Sequence, residues 1–198
     1  TGSGKTESFM LPILASLMAE AVSWPAPKSP LRGSDWYLQD KSGFQLQRQF
    51  EHPNRPKAVR ALILYPMNAL VEDQLTRLRK TLQSDEALSV FNDRCNGNRV
   101  YFGRYTSKSP VTGFLEHPRL KDDKEEKKKK ARRLKNLKES LNNLHAANIA
   151  ATQYDQINNP EEKTQFLFSS VLGSELVSRW DMQQTPPDLL VTNSSMLA

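Results

Sequence analysis

The sequence predicts an α/β fold, a three-layer arrangement in which a parallel sheet carries helices on its faces. Three observations point there. A glycine-bracketed turn, Thr1-Gly2-Ser3-Gly4-Lys5-Thr6, runs directly into a helical pattern. Two apolar runs, residues 58–65 and 189–191, have the composition of strands buried in a parallel sheet. Each is followed by residues suited to start a helix: Asn68 after the first, and Thr192, Asn193 or Ser194 after the second. Repeated strand-then-helix units build a covered parallel sheet.

The opening turn is the most specific signal. Its six residues match the end of a Walker A phosphate loop. Gly2 and Gly4 lack a Cβ, so the backbone can turn sharply and bring N–H groups close to an anion. Lys5 can reach the β- and γ-phosphates, and the Thr6 hydroxyl can hold Mg²⁺. The following helix points its positive dipole end at the same phosphates. ATP with Mg²⁺ is therefore the expected cofactor. Thr1, Gly2, Ser3 and Gly4 form the cradle, and Lys5 and Thr6 are the working side chains. A phosphate loop hangs from a strand, and none precedes Thr1, so the sequence reads as an internal piece of a longer chain.

The first helix is expected over residues 7–22. Phe9, Leu11, Ile13, Leu14, Leu17, Met18 and Val22 form its apolar stripe, and Pro12 marks a kink or a late start. Residues 23–57 interrupt the pattern with Pro25, Pro27, Pro30, Pro53 and Pro56. A simple connection needs only a few residues, so this stretch reads as an insertion. Trp24, Trp36, Tyr37, Phe44 and Phe50 either build a satellite core, the commoner use of aromatics, or stack on bases.

The strand at 58–65 is apolar enough to lie inside a sheet and ends at Pro66. Asn68 is expected to cap a helix reaching about residue 82, with Leu70, Val71, Leu75, Leu78 and Leu82 inward. Cys95 falls in a polar run that reads as a turn. A strand is expected at 100–102, ending in Gly103-Arg104-Tyr105-Thr106.

Residues 107–186 read as a second insertion, helical and basic. A long helix is expected over 121–152, acidic first and lysine-rich after, the order the helix dipole favours. Leu134, Leu137, Leu141 and Leu144 make a narrow seam that needs a partner. The segment 160–180 is expected to supply it as a second helix. The strand at 189–191 then leads into a helix beginning near Ser195.

Composition sets the outer bounds. The 198 residues suffice for one domain, and a hydrophobic share of 37% implies much polar loop or solvated helix. The net charge of +6 is local: residues 119–138 hold 11 Lys/Arg against 4 Asp/Glu, leaving 17 basic and 18 acidic residues elsewhere. Residues 127–133 therefore give either a salt-sensitive grip on nucleic acid or a solvated helix of mixed ion pairs. One cysteine excludes an internal disulfide and fits a reducing, cytoplasmic setting. No apolar run is long enough to cross a bilayer. The three histidines lack ligand spacing, so a metal site of protein ligands is not expected.

The order of the motifs is more specific than any one of them. Thr1-Gly2-Ser3-Gly4-Lys5-Thr6, then Leu64-Tyr65-Pro66-Met67-Asn68-Ala69-Leu70 continuing to Asp73-Gln74, then Pro187-Asp188-Leu189-Leu190-Val191-Thr192-Asn193 resembles the first motor domain of superfamily 2 DEAD/DEAH-box helicases. The resemblance is to the large bacterial type, similar to large helicase-related proteins and the helicase of the DISARM antiphage system. It implies a RecA-like P-loop fold and ATP-driven movement on nucleic acid, DNA ahead of RNA. It also implies Asn68, Thr192 and Asn193, with Arg104 behind them, as contacts to the tracked strand. Many relatives carry Thr where Met67 stands, which implies one phosphate-binding hydroxyl fewer. The family's Walker B carboxylate and second motor domain have no counterpart in these residues, so the piece alone is expected not to hydrolyse ATP. Two rivals are a secretion or partition ATPase and a catalytically inactive nucleic-acid-binding module.

Overall fold

The computed structural model describes residues 3–27, 37–38, 49, 56–111 and 113–196; the side chains of residues 3–7 and 68–69 lie outside that description. Helix α1 covers Ser3–Val22, strand β1 Ala61–Tyr65, and helices α2 and α3 Asn68–Gln83 and Asp85–Arg94. Strand β2 is Phe102–Tyr105, and the long helix α4 is Lys124–Asn158. Strand β3 is Glu175–Leu176, helix α5 Arg179–Gln184 and strand β4 Leu189–Asn193. The sheet is parallel throughout, in the order β1-β4-β2-β3.

Strand alternation divides the core. Ile63, Phe102, Leu189 and Val191 face one side, where α1, α2 and α3 cover them with Met10, Leu14, Leu17, Val71, Leu75, Leu78 and Phe91. Leu190 faces the other side and joins Met182 of α5 with Leu176 and Tyr101. Gly103 lies on that same face, and a Cβ there would meet Met182 Sδ at 2.6 Å, so only glycine lets α5 come this close. The three-layer α/β arrangement expected from the sequence is thus present.

Several expectations are corrected. Strand β1 lies at the edge of the described sheet, not inside it; its Leu62 and Leu64 point away from the core and are half exposed. In α1 the buried face is Met10, Leu14, Leu17 and Ala21, whereas Phe9, Leu11 and Val22 are exposed. An apolar pattern that wraps most of a helix does not by itself select a face. Leu70 is likewise exposed on α2. Asn68 is the first residue of α2, and Met67 occupies the cap position with no side-chain bond. Helix α3 was not expected; Ser84 caps it by accepting from Ala87 N (3.3 Å), with Asp85 and Glu86 in its first turn. Strand β2 starts at Phe102, two residues later than the apolar run.

Helix α4 extends the expected helix to Asn158, where Asn159 closes it in the left-handed conformation (φ 42°). Its start is fixed by Asp123, which accepts from Glu125 N and Glu126 N at 2.8 and 2.9 Å. The leucine seam is buried, but its partner is not one long second helix. Residues 160–178 form a 3₁₀ turn (Thr164–Leu167), loops and β3, and the seam packs on Val171, on Trp180 of the short helix α5 and on Tyr37. Of the aromatics in 23–57, Trp24 and Tyr37 are buried in these cores, which leaves no face for a base. Trp36, Phe44 and Phe50 lie outside the described residues.

Two buried carboxylates hold the layers in place. Asp188 is fully buried: its Oδ1 accepts from Arg60 Nη1 (3.0 Å) and its Oδ2 from Tyr101 N (2.7 Å). Glu175 accepts from Arg79 Nε (2.6 Å) and Nη2 (3.0 Å), a two-pronged pair with both side chains about 5% exposed. Removing one partner from a buried ion pair typically costs about 3–5 kcal/mol. Asp188→Ala is expected to destabilise the domain by that order. The loss should be read as a lower urea midpoint together with faster hydrogen exchange at Tyr101 N.

Asp155 offers a pH test. It sits on α4 and binds the 3₁₀ turn through Thr164 Oγ1 (2.6 Å), Thr164 N (2.9 Å) and Gln165 N (2.8 Å). Desolvation alone would raise its pKa, but these bonds together with Lys163 outweigh it and hold the pKa below the ordinary 3.8. A depressed carboxyl pKa gives a contribution that is complete above the unfolded value and is lost as pH falls through the folded one. Protection of the Thr164 and Gln165 amides, corrected for intrinsic exchange, should therefore fall below about pH 4. Asp155→Asn should abolish that pH dependence.

Candidate nucleotide and nucleic-acid site

In an open parallel sheet, ligands bind at the carboxyl ends of the strands. The pairings Tyr65↔Asn193 and Tyr105↔Thr192 bring the ends of β1, β4 and β2 side by side. Helix α1 is directed toward the same edge. Near its C-terminus Glu20 takes two bonds from Arg60, ahead of β1, each 2.6 Å. The helix therefore runs opposite to the strands, with its first turn on the carboxyl side. The N–H groups of a first turn have no partner inside the helix, and the dipole adds positive potential. That backbone fits a phosphate. Thr1 and Gly2, and the side chains of Ser3, Lys5 and Thr6, lie outside the described residues.

The second motif is braced from within. Tyr65 closes β1, and its hydroxyl donates to Gln74 Oε1 (2.9 Å), a side chain only 1% exposed on α2. Burial, helped by Asp73 and opposed by Arg77, raises the phenol pKa, so Tyr65 remains a donor at neutral pH. The Met67 thioether gives α2 no capping oxygen. The side chain of Asn68 lies outside the described residues.

Arg104 stands near the end of β2, part-buried, and pairs with the Glu72 carboxylate of α2. Desolvation lowers its pKa and Glu175 opposes that shift. Behind it, Ser109 Oγ donates to the Arg104 carbonyl and accepts from Thr106 N (3.1 Å), which locks the turn that leaves the strand. Thr192 is 2% exposed, and its hydroxyl donates to the Tyr105 carbonyl at 2.5 Å. Asn193 is also buried, and its Oδ1 accepts from Ser195 Oγ at 2.9 Å. Both are strand residues and not helix caps. A 3₁₀ turn, Ser194–Met196, follows where a helix near Ser195 was expected.

The structure thus gathers Arg104, Thr192 and Asn193 at one edge with the starts of α1 and α2. It also shows that the Arg104 and Thr192 side chains already have protein partners. Sequence reading missed Glu72 and Ser109. No local pattern links Glu72 to Arg104, which only the packing of α2 beside β2 brings together. The basic run is largely paired: Lys127, Lys128, Lys129 and Lys130 lie 3.6, 3.0, 2.9 and 3.6 Å from Asp122, Glu125, Glu126 and Glu116. Exposed pairs of this kind add little stability, but they engage four of the six Lys/Arg charges at 127–133.

Cys95 is buried and burial raises its thiol pKa, so it stays protonated at neutral pH and is a poor nucleophile. No group of three His, Cys, Asp or Glu side chains among the described residues is placed to hold a metal. No helix among them is long and apolar enough to cross a membrane.

Comparison with known proteins agrees with this geometry. Residues 1–138 match the family model of the DEAD/DEAH box helicase. The whole chain aligns with Druantia protein DruE of Escherichia coli (strain UMEA 4076-1), 31% identical over 225 positions, and spans 10% of that relative's length. No solved structure matches it. With the phosphate loop, the parallel sheet and the family match in agreement, the chain belongs to the DEAD/DEAH box helicase family, whose members bind nucleotide.

Proposed function

We propose that this chain is the nucleotide-binding part of the first motor domain of an ATP-dependent helicase or translocase. The parent protein couples ATP hydrolysis to tracking or unwinding of nucleic acid, DNA ahead of RNA. The observation that supports the reading is the shared carboxyl edge of β1, β2 and β4, from which α2 leaves and toward which the Glu20–Arg60 contact at its far end turns the start of α1. Helix starts of this kind hold phosphates, one set from nucleotide and one from a nucleic-acid backbone.

Thr1, Gly2, Ser3 and Gly4 would wrap the nucleotide phosphates with backbone N–H groups. Lys5 would neutralise their charge, and Thr6 would hold Mg²⁺. The bound metal and nucleotide supply a phosphoryl group polarised for attack by water. The Walker B carboxylate and the second motor domain would come from elsewhere in the parent protein. The resemblance to large bacterial helicases of antiphage systems supports a cytoplasmic role in phage defence.

Asn68, Thr192, Asn193 and Arg104 are the proposed contacts to the strand. With the Thr192 hydroxyl holding Tyr105, we assign Thr192 to shaping the edge, and we assign to Arg104 the one mobile charge. Arg104 would exchange Glu72 for a phosphate when the strand arrives.

Two measurements test this. In the full-length protein, Lys5→Ala should lower ATP turnover by about 10²–10³-fold, the usual effect of deleting one preorganised charge at a reacting group. Unchanged turnover would sink the motor reading. Nucleic-acid binding indifferent both to Lys5→Ala and to nucleotide would favour an inactive binding module. Separately, Arg104→Ala should reduce the slope of log affinity for single-stranded DNA against log salt by about 0.7, one phosphate contact. Glu72→Gln should keep the slope and tighten binding. An Arg104→Ala protein with lower stability and an unaltered slope would show Arg104 to be a strut only.

A further inference from the structure

The opposite end of the sheet holds a cavity that the motor chemistry leaves unused. Its volume is about 260 Å³, just below the usual range of ligand pockets and so suited to a small ligand only. Gln83 lines it from the end of α2, Arg99 from the segment before β2, and Ser174 from the residue before β3. Leu88, Phe166 and Leu172 supply its apolar wall. All six lie away from the carboxyl edge described above.

Two of the polar groups are orphaned. Gln83 Nε2 and Ser174 Oγ are buried and have no hydrogen-bond partner among the described residues. Ser174 is only 5% exposed. Buried polar atoms are nearly always satisfied, and each exception calls for an explanation, a bound ligand or water among them. The orphan amide lies close against Gly173. A Cβ on Gly173 would meet Gln83 Nε2 and Oε1 at 2.6 and 2.7 Å, so the glycine lets the carboxamide lie flat against the backbone. Arg99 adds positive charge to the wall; its Nη2 donates to Asn92 Oδ1 (2.9 Å) and its guanidinium lies 5.7 Å from the Phe91 ring. Burial lowers the Arg99 pKa, but the guanidinium stays charged at neutral pH and can meet an anion.

We propose that this cavity binds a carboxylate carried on a short apolar body. An amide N–H, a hydroxyl and a guanidinium line the one cavity as donors, which is the recognition chemistry of a carboxylate. The leucines and Phe166 fit an aliphatic or aromatic residue behind it. Asp85 stands exposed on the same wall and disfavours a multiply charged phosphate more than a singly charged carboxylate. Such a group comes from two sources, a free small acid or the carboxyl terminus of a peptide ending in an apolar residue.

The test uses the full-length protein and ¹⁹F NMR of 4-fluorobenzoate, with neutral 4-fluorobenzamide as control. A tetrapeptide ending in leucine is the competitor, with its terminus either free or amidated. Saturable broadening of the benzoate but not the benzamide is expected. Ser174→Ala should weaken it about tenfold, the loss of one charge-assisted bond, while nucleotide binding stays unchanged. Because Ser174 Oγ has no hydrogen-bond partner among the described residues, this variant should fold normally. Gly173→Ala should displace Gln83 and weaken binding in the same way; should it fail to fold, Ser174→Ala decides alone. Displacement by the free peptide at lower concentration than by unlabelled benzoate assigns the site to a chain terminus, and the reverse to a small acid. No saturable binding, or binding equal in wild type and Ser174→Ala, overturns the proposal and leaves a cavity filled by ordered water.

Discussion

Asp188 is the point on which the sheet depends. Its carboxylate is cut off from water, so its charge must be met inside the protein. It meets three elements at once. The side chain takes Arg60 from the start of β1 and Tyr101 N from the approach to β2, while its own carbonyl accepts from Arg60 N and Ala61 N. Those bonds set β1 and β2 on either side of β4 at the amino end, and the register at the carboxyl end follows. A shift of one residue would turn every side chain to the wrong face. Arg60 carries the constraint on to α1 through Glu20, and its guanidinium lies 4.9 Å from the Trp24 ring. The position of the phosphate-loop helix relative to the strand ends therefore traces back to one aspartate.

This recasts the last motif. Its Pro187-Asp188 half lies at the amino end of β4, a full strand away from the edge where a nucleic acid would pass. A reading by motif alone treats the whole stretch as a contact. The structure puts a register pin at one end of it, and the proposed ligand edge lies at the other. The Arg79–Glu175 pair plays the matching role for the long middle segment. Arg79 also donates to Ser169 Oγ (3.1 Å) and the Leu167 carbonyl (3.2 Å), so one guanidinium on α2 collects the 3₁₀ turn, the following loop and β3. Gln49 then bonds the outer side of β3, its amide reaching the Glu175 carbonyl (2.6 Å) and Val177 N (3.3 Å). A two-residue strand with its edge covered in this way offers no template for a further chain.

How legible all this was in the sequence depended on length and repetition. Helices α1, α2 and α4 declared themselves because a 3.6-residue period repeated over several turns, and the parallel sheet because its strands stand apart from one another along the chain. Short elements did not. Helix α3 has ten residues, mostly polar, and only its serine cap and acidic first turn mark it. Strand β3 has two residues and exists through what Arg79 and Gln49 do to Glu175, contacts between positions 96 and 126 residues apart. The helix expected at 160–180 failed for a related reason: its apolar residues are numerous, but Ser169, Ser170, Gly173 and Ser174 break the run, and a loop can bury the same side chains. At the site, the residue types were legible and their partners were not. Arg104 reads as a phosphate ligand until Glu72 is found beside it.

Helix α2 ties these observations together. One face, Val71, Leu75, Leu78 and Leu82, is buried in the core and fixes the helix as a rigid body. A second face carries Glu72, Arg79 and Gln83 in order along the axis. Glu72 holds Arg104 at the ligand edge, Arg79 holds Glu175 in the middle, and Gln83 ends at the orphaned cavity. The helix has 16 residues, about 24 Å. Packed helices move as units because the core has few alternative arrangements. A displacement at either end of α2 must therefore be taken up by the Arg79 pair at its centre or carried to the other end. Arg79 makes five bonds there and has little room to absorb a shift, so the two ends of the sheet share one mechanical element.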